Sequence, residues 1–229
     1  MKKGNGSNPL TSDELAELIR ARGKVEGLDL SGKNLQGADL SNLDLHGVVL
    51  KSANLEGATL VNTNLQGAEL EGVNLRKAKI TNANLQGANL KQADLRQADL
   101  WGTNMHSASL PNADLREAIL EEVNLQEACL EEANLQGARL LNTNLQGADL
   151  RGSKMCNIWL CAPRISATTK LSEVDWGPEC VLQDEKFGYF EDAAKSYSAL
   201  RQWHAEKGMH DMAERFHDRE RSLGSVLGP

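Results

Sequence analysis

Ala83-Asn84-Leu85-Gln86-Gly87 is a five-residue phrase, and its core string Asn-Leu-Gln-Gly-Ala begins at Asn34, Asn64, Asn84, Asn134 and Asn144. Outward from it, every fifth position from Leu30 to Ile165 is a large aliphatic, in one register without a slip. Of these 28 positions only Ile80, Met105, Met155 and Ile165 are not leucine. Two residues earlier a small side chain recurs, as at Ala38, Ala53, Ala58, Ala68, Ala78, Ala83 and Ala88. A period of five suits neither a helix nor a simple strand, so the pattern excludes an ordinary globular domain and predicts a solenoid.

The phrase Ala-Asp/Asn-Leu-x-x, as in Ala38-Asp39-Leu40, resembles the pentapeptide repeat family over residues 28–165, 138 of 229 residues. The resemblance implies an all-β solenoid: a right-handed quadrilateral β-helix, one pentapeptide per side, with the leucine and the preceding small residue pointing inward. The residues support the square independently. The position before the aliphatic at 34, 44 and onward to 144 is Asn or Asp in all twelve cases, whereas the interleaved set is mixed. A ten-residue super-period divides a twenty-residue coil and does not divide a fifteen-residue one.

About seven coils at an interstrand spacing of about 4.8 Å make a rod roughly 33 Å long. Leucines twenty apart, such as Leu30, Leu50, Leu70 and Leu90, stack inside, each worth roughly 2 kcal/mol before ordering entropy. Glycine two residues after the leucine, as at Gly37, Gly57, Gly67, Gly87, Gly137 and Gly147, suits corners needing positive φ. The Asn columns are expected to bond turn backbone.

Outside the repeats, residues 1–10 read as a disordered start. Residues 11–27 read as an N-terminal capping helix, with Thr11 as N-cap, Glu14 completing a capping box and Leu10 and Leu15 as the staple. Residues 166–186 read as an irregular segment closing the last coil. Residues 187–223 read as an α-helical hairpin turning at Glu206-Lys207-Gly208-Met209, before a tail over 224–229. The hairpin resembles a single tetratricopeptide-like unit.

The net charge of −7 argues against nucleic-acid and anionic-membrane partners. No membrane span or cleavable signal is visible, and the four cysteines lack disulfide-like spacing, so a cytoplasmic location is expected. Similar hairpins end some members of the family, sometimes just before membrane segments, so the resemblance allows a longer natural chain with such a segment. No catalytic, cofactor or metal motif occurs, and an enzyme is not expected.

Candidate partner contacts come from the outward columns. Trp101 lies between Val61 and Leu141, and Arg76, Arg96 and Arg116 stack on successive rungs, a column that either awaits an acidic partner or is softened by Asp94, Asp114 and Glu117. Lys51, Glu71, Lys91, Glu131 and Arg151 alternate in sign along another face. On the hairpin, Tyr197, Trp203 and Phe216 are the further candidates, and a homodimer or docked partner follows if its aromatics exceed what it buries internally.

Two functional readings result. The first is a non-enzymatic scaffold or protein-interaction module that presents flat rod faces and the hairpin to a protein partner. The second is a DNA-mimicking modulator of a type II topoisomerase (gyrase), which the family resemblance raises and the charge pattern disfavours. Residues 28–165 hold 16 acids against 12 bases, and the densest acids form a girdle around the axis.

Overall fold

The computed structural model describes Leu15, residues 25–178 and residues 181–227. The expected disordered start and most of the expected capping helix lie outside the described residues. Within 11–27, Leu15 is helical and fully buried in the hydrophobic core, whereas residues 25–27 are not helical: the Leu28 N–H donates to the Val25 carbonyl at 2.8 Å and Gly27 is the first left-handed corner of the rod.

From Asp29 onward, each residue preceding an inward aliphatic makes a parallel bridge with the residue twenty positions later, through Asn144↔Arg164. One coil therefore takes four pentapeptides. The leucine amide donates to the next coil, as in Leu85 N–H to the Asn104 carbonyl at 2.7 Å. The turn closes on itself, with the Ala88 N–H donating to the Leu85 carbonyl at 3.0 Å.

All the corner residues spaced by five from Gly27 to Ala162 are left-handed, with φ between 48° and 72°. Gly87 shows why glycine is favoured there, but Asn, Ser, Gln, Lys and Glu hold the same conformation at other corners. In one coil the corners are Glu117, Glu122, Glu127 and Glu132. A side chain in this region costs about 1–2 kcal/mol, and it is held there by the ladder, as where the Glu117 N–H donates to the Gln136 carbonyl at 3.0 Å.

The Asn and Asp columns explain the ten-residue alternation. The Asn84 Oδ1 accepts the Gln86 N–H two residues on, while the Asn84 Nδ2 donates to Asn64 on the previous coil, both at 3.2 Å. The chain of amides continues through Asn104, Asn124 and Asn144. These side chains fix turns and stack coils.

The interior is leucine over leucine, with Ala, Val or Thr at the second inward position. Thr63, Thr103 and Thr143 are fully buried there, and each hydroxyl donates to a carbonyl of the preceding coil: Leu40, Ile80 and Leu120. These three threonine hydroxyls are thus satisfied, whereas the buried Ser153 hydroxyl, at the same inward position, has no hydrogen-bond partner among the described residues.

The segment after Ile165 departs from the expected irregular closure. The ladder continues with one extra residue: Asp149 bridges Lys170 and Lys154 bridges Asp175, an offset of 21. The slip is absorbed at Ser166–Thr169, where the Thr169 Oγ1 accepts the Ser166 N–H at 3.0 Å and donates to the Leu145 carbonyl at 2.8 Å. Leu171 and Trp176 are buried one position beyond the old register, and Ile165, its last member, is only partly buried.

Three helices follow: α1 (Gln183–Lys186), α2 (Phe190–Glu206) and α3 (His210–Leu227). The hairpin thus forms as expected but starts and ends later than 187–223. It is bolted to the last coil. The Gln183 N–H donates to the Ile158 carbonyl and the Asp184 carboxylate accepts the Leu160 N–H, both at 2.8 Å, so α1 stands in for a further strand. Pro163 cannot donate the N–H that elsewhere closes a turn, and the Ser196 hydroxyl donates to the Leu160 carbonyl instead. The Trp203 Nε1 donates to the Ser166 carbonyl, the Lys207 Nζ to that of Ala167 and Arg215 to that of Pro178. These bonds close the open end of the ladder.

Candidate interaction surface

A filled interior leaves chemistry only to the outside. Among the described residues, no group of three or more His, Cys, Asp or Glu is placed to hold a metal ion, and no helix is long and apolar enough to cross a membrane. Cys129, Cys156 and Cys161 are free thiols, and burial pushes the Cys161 thiol up, away from the nucleophilic thiolate.

The hairpin candidates are placed inside. Tyr197 and Phe216 are fully buried and Trp203 nearly so. Their rings pack with Trp176 and His204 between rod and hairpin; Trp176 meets Phe216 edge-on, centroids 5.3 Å apart. The Tyr197 hydroxyl accepts the Leu182 N–H and donates to Glu185, which also pairs with Arg219. These three residues are therefore corrected from partner contacts to junction core: the hairpin buries its aromatics against the last coil.

The exposed aromatics are others. Phe187 is 66% and Tyr189 57% exposed, in the link between α1 and α2. Phe187 stacks on Trp159 with centroids 5.0 Å apart and planes 28° from parallel, and Tyr189 lies 6.0 Å from the same indole. Trp159 occupies the position before Leu160 that most other coils give to Asp, Thr, Lys or Arg, with Ile119 the exception. From it a zigzag of half-buried apolar side chains follows successive rungs of one face: Leu141, Ile119 and Trp101, itself 38% exposed. The Arg139–Glu121 ion pair at 2.6 Å lies alongside. Val61 sits two rungs beyond Trp101 and half-buried, apart from this patch.

On the adjoining face the arginine column divides. Arg96 grips Asp94 through Nε at 2.8 Å and Nη2 at 2.5 Å, and Arg116 grips Asp114 at 2.8 and 2.6 Å. The Arg96 hydrogen bonds hold the Asp94 carboxyl below the ordinary carboxylate range. Arg76, preceded by Asn74 in the equivalent place, has no ion pair among the described residues, nor has neighbouring Lys77. The expected alternating ladder is partial: Arg151 pairs with Glu131 at 3.1 Å, but Lys51 pairs with Glu69 rather than Glu71.

Between these two faces runs a corner groove. One depression of about 500 Å³ is bounded by Arg116, Glu117, Gly137, Asn157, Trp159 and Phe187. A second of about 200 Å³ is bounded by Arg76, Arg96, Gln97, Arg116 and Glu117, and the shared Arg116 and Glu117 make the two continuous. Sequence reasoning placed Trp101, Leu141 and the arginines on the surface but missed Trp159, Phe187 and Tyr189. The available signal was a tryptophan in a ladder position otherwise polar in most coils.

The family model for pentapeptide repeats matches in eight copies, over residues 25–57, 53–92, 83–121 and 118–155, which together exceed half of the chain. No curated protein matches. Among solved structures, a trypsin-treated form of QnrB1, a plasmid-mediated fluoroquinolone resistance protein, is similar with TM-score 0.59 and 20% identity, over 71% of this chain and 86% of that one. Rfr23, a pentapeptide repeat protein from the cyanobacterium Cyanothece 51142, gives 0.45 and 29%, over 58% and 97%. HetL, a pentapeptide repeat protein involved in heterocyst differentiation regulation from Nostoc sp. strain PCC 7120, gives 0.33 and 26%, over 72% and 94%. The likeness is one of fold, and it makes the solenoid a right-handed β-helix with a C-terminal helical region.

Proposed function

We propose, from the premise that the chain belongs to the pentapeptide repeat family, that it is a non-enzymatic interaction module whose rod holds a docking surface for a protein partner beside its helical end. The observation that carries this reading is the exposed stack of Trp159, Phe187 and Tyr189. Two of these rings stand more than half in solvent although the adjoining junction buries Tyr197 and Phe216 completely. Aromatic side chains at the centre of a patch are the usual anchors of protein interfaces, and the apolar zigzag to Trp101 extends the patch along a flat face. Val61 is assigned to the edge of that face at most.

The rod supplies rigidity. Its amide ladders and leucine columns hold these side chains in fixed register, so docking costs little ordering entropy.

The DNA-mimicking alternative asks for carboxylates running along the axis. Here Glu117, Glu122, Glu127 and Glu132 circle one coil, and on the face where Asp94 and Asp114 do follow the axis, Arg96 and Arg116 neutralise them. Likeness to a fluoroquinolone resistance protein at 20% identity extends to the fold.

The test is affinity capture from the native cell with the intact chain and with a Phe187→Ser/Tyr189→Ser variant. A protein retained by the first and lost by the second supports the reading, and no retained protein contradicts it. Potent inhibition of gyrase supercoiling by the intact chain would favour the alternative.

A further inference from the structure

We propose that the corner groove takes an extended acidic peptide segment of a partner protein, with one apolar side chain against Phe187 and Trp159 and carboxylates along Arg116, Arg96 and Arg76. This rests on the interaction-module reading and specifies the chemistry of the partner.

In a chain of net charge −7, this corner gathers Arg76, Lys77, Arg96 and Arg116 against Asp94, Asp114, Glu117 and, one rung beyond Arg76, Glu56. Two of the acids are bound by Arg96 and Arg116 through Nε and Nη2. The third is held by the Gln97 amide, which donates to the Glu117 carboxylate at 2.8 Å. Arg76 and Lys77 remain without an ion pair among the described residues. Guanidinium groups on successive rungs, spaced by about 4.8 Å, repel one another by somewhat under about 1 kcal/mol per pair in water. Asp114 already bridges one pair, 3.6 Å from the Arg96 Nε and 2.6 Å from the Arg116 Nη2; a carboxylate between Arg76 and Arg96 would relieve the other.

The two depressions follow one another along the axis, the smaller at the arginine end and the larger at the aromatic end, where Gly137 contributes no side chain to the lining. From the Trp159 rung to that of Arg116 is two ladder steps, about 10 Å, and Arg76 is a further two. An extended chain advances about 3.3 Å per residue. The fitting segment therefore has an apolar residue with acids about three and about six positions away.

The same geometry disfavours a nucleic acid. Glu121, Glu122, Glu127, Glu131 and Glu132 encircle the rod on the coil of Arg116 and the one beside it and repel a long polyanion, whereas a short segment confined to the corner avoids most of them.

The probe is a fluorescein-labelled peptide, Phe-Gly-Ser-Glu-Ser-Glu-Glu, followed by anisotropy with the intact chain. Micromolar binding is expected, weakened by salt. Replacing its Glu by Gln, or its Phe by Ser, should each weaken binding by roughly tenfold or more. Arg76→Gln/Lys77→Gln and Phe187→Ser in the protein should do the same; these side chains are exposed or half-exposed and hold no ion pair, so the fold is retained. Absence of binding, equal binding of the Gln peptide, or equal displacement by an oligonucleotide of the same length would overturn the proposal. Capture of a partner from cells that survives Arg76→Gln/Lys77→Gln would sink the groove alone, leaving the interaction module standing.

Discussion

The Asp184 carboxylate accepts the Leu160 amide hydrogen at 2.8 Å, in the place where a further coil would offer a carbonyl. Elsewhere the same bond runs from a leucine to the residue nineteen positions on, as from Leu140 to Trp159 at 2.8 Å. The helical end therefore terminates the solenoid by satisfying its backbone, and burial pushes the Asp184 carboxyl up from its ordinary value. Asp184→Ala leaves a buried N–H without a partner and should cost about 1–3 kcal/mol. Asp184→Asn keeps a neutral acceptor and should cost much less. Urea denaturation followed by tryptophan fluorescence distinguishes them.

Leu100 and Trp101 are adjacent in sequence and opposite in role. Leu100 is fully buried and Trp101 is 38% exposed. Leu100→Ala should destabilise by about 2–5 kcal/mol, and Trp101→Ala should stay within about 0.5 kcal/mol. Equal losses would mean that Trp101 packs into the fold rather than serving the surface.

At the corners, Gly87→Ala tests backbone strain alone, since a Cβ there meets nothing within 4 Å. About 1 kcal/mol is expected. A Cβ at Gly102 would stand 2.4 Å from the Asn82 Oδ1, the free end of a side chain that can turn aside, so Gly102→Ala should cost only slightly more. In an Asn82→Gly background the excess should vanish, a coupling that a double-mutant cycle measures.

His204 is buried among Trp176, Trp203 and Phe216, and its Nδ1 lies 2.7 Å from the Leu200 carbonyl. Burial lowers its pKa below the ordinary 6.5. The unfolded chain then binds the proton first as pH falls, so this contribution to stability is whole above about 6.5 and is lost below it. Asp184, raised by burial, acts in the opposite sense. Comparing the chain with His204→Gln isolates the histidine: its relative stability should fall between about pH 7.5 and pH 5, and a constant difference would show that His204 does not titrate with folding.

Much of the fold was legible because a five-residue register is a local property, repeated 28 times from Leu30 to Ile165. The hairpin was legible from its helical spacing and its Gly208 turn. The slip after Ile165 was not: it depends on Pro163 losing a turn donor and on Thr169 bonding both Ser166 and Leu145, contacts that no period encodes. Helical spacing also marks an apolar face without naming what covers it, which is why Tyr197, Trp203 and Phe216 read as partner contacts. The stack of Trp159 on Phe187 joins segments 28 residues apart and breaks no pattern except by an indole in a ladder position.

On the proposed function, the outer junction of rod and hairpin meets the partner. Hydroxyl-radical footprinting of the chain with and without its captured partner tests it most directly. Trp159, Phe187 and Tyr189 should lose reactivity together on binding. Unchanged reactivity of all three, with protection confined to the outer side of α3 or to the glutamate girdle, would contradict it.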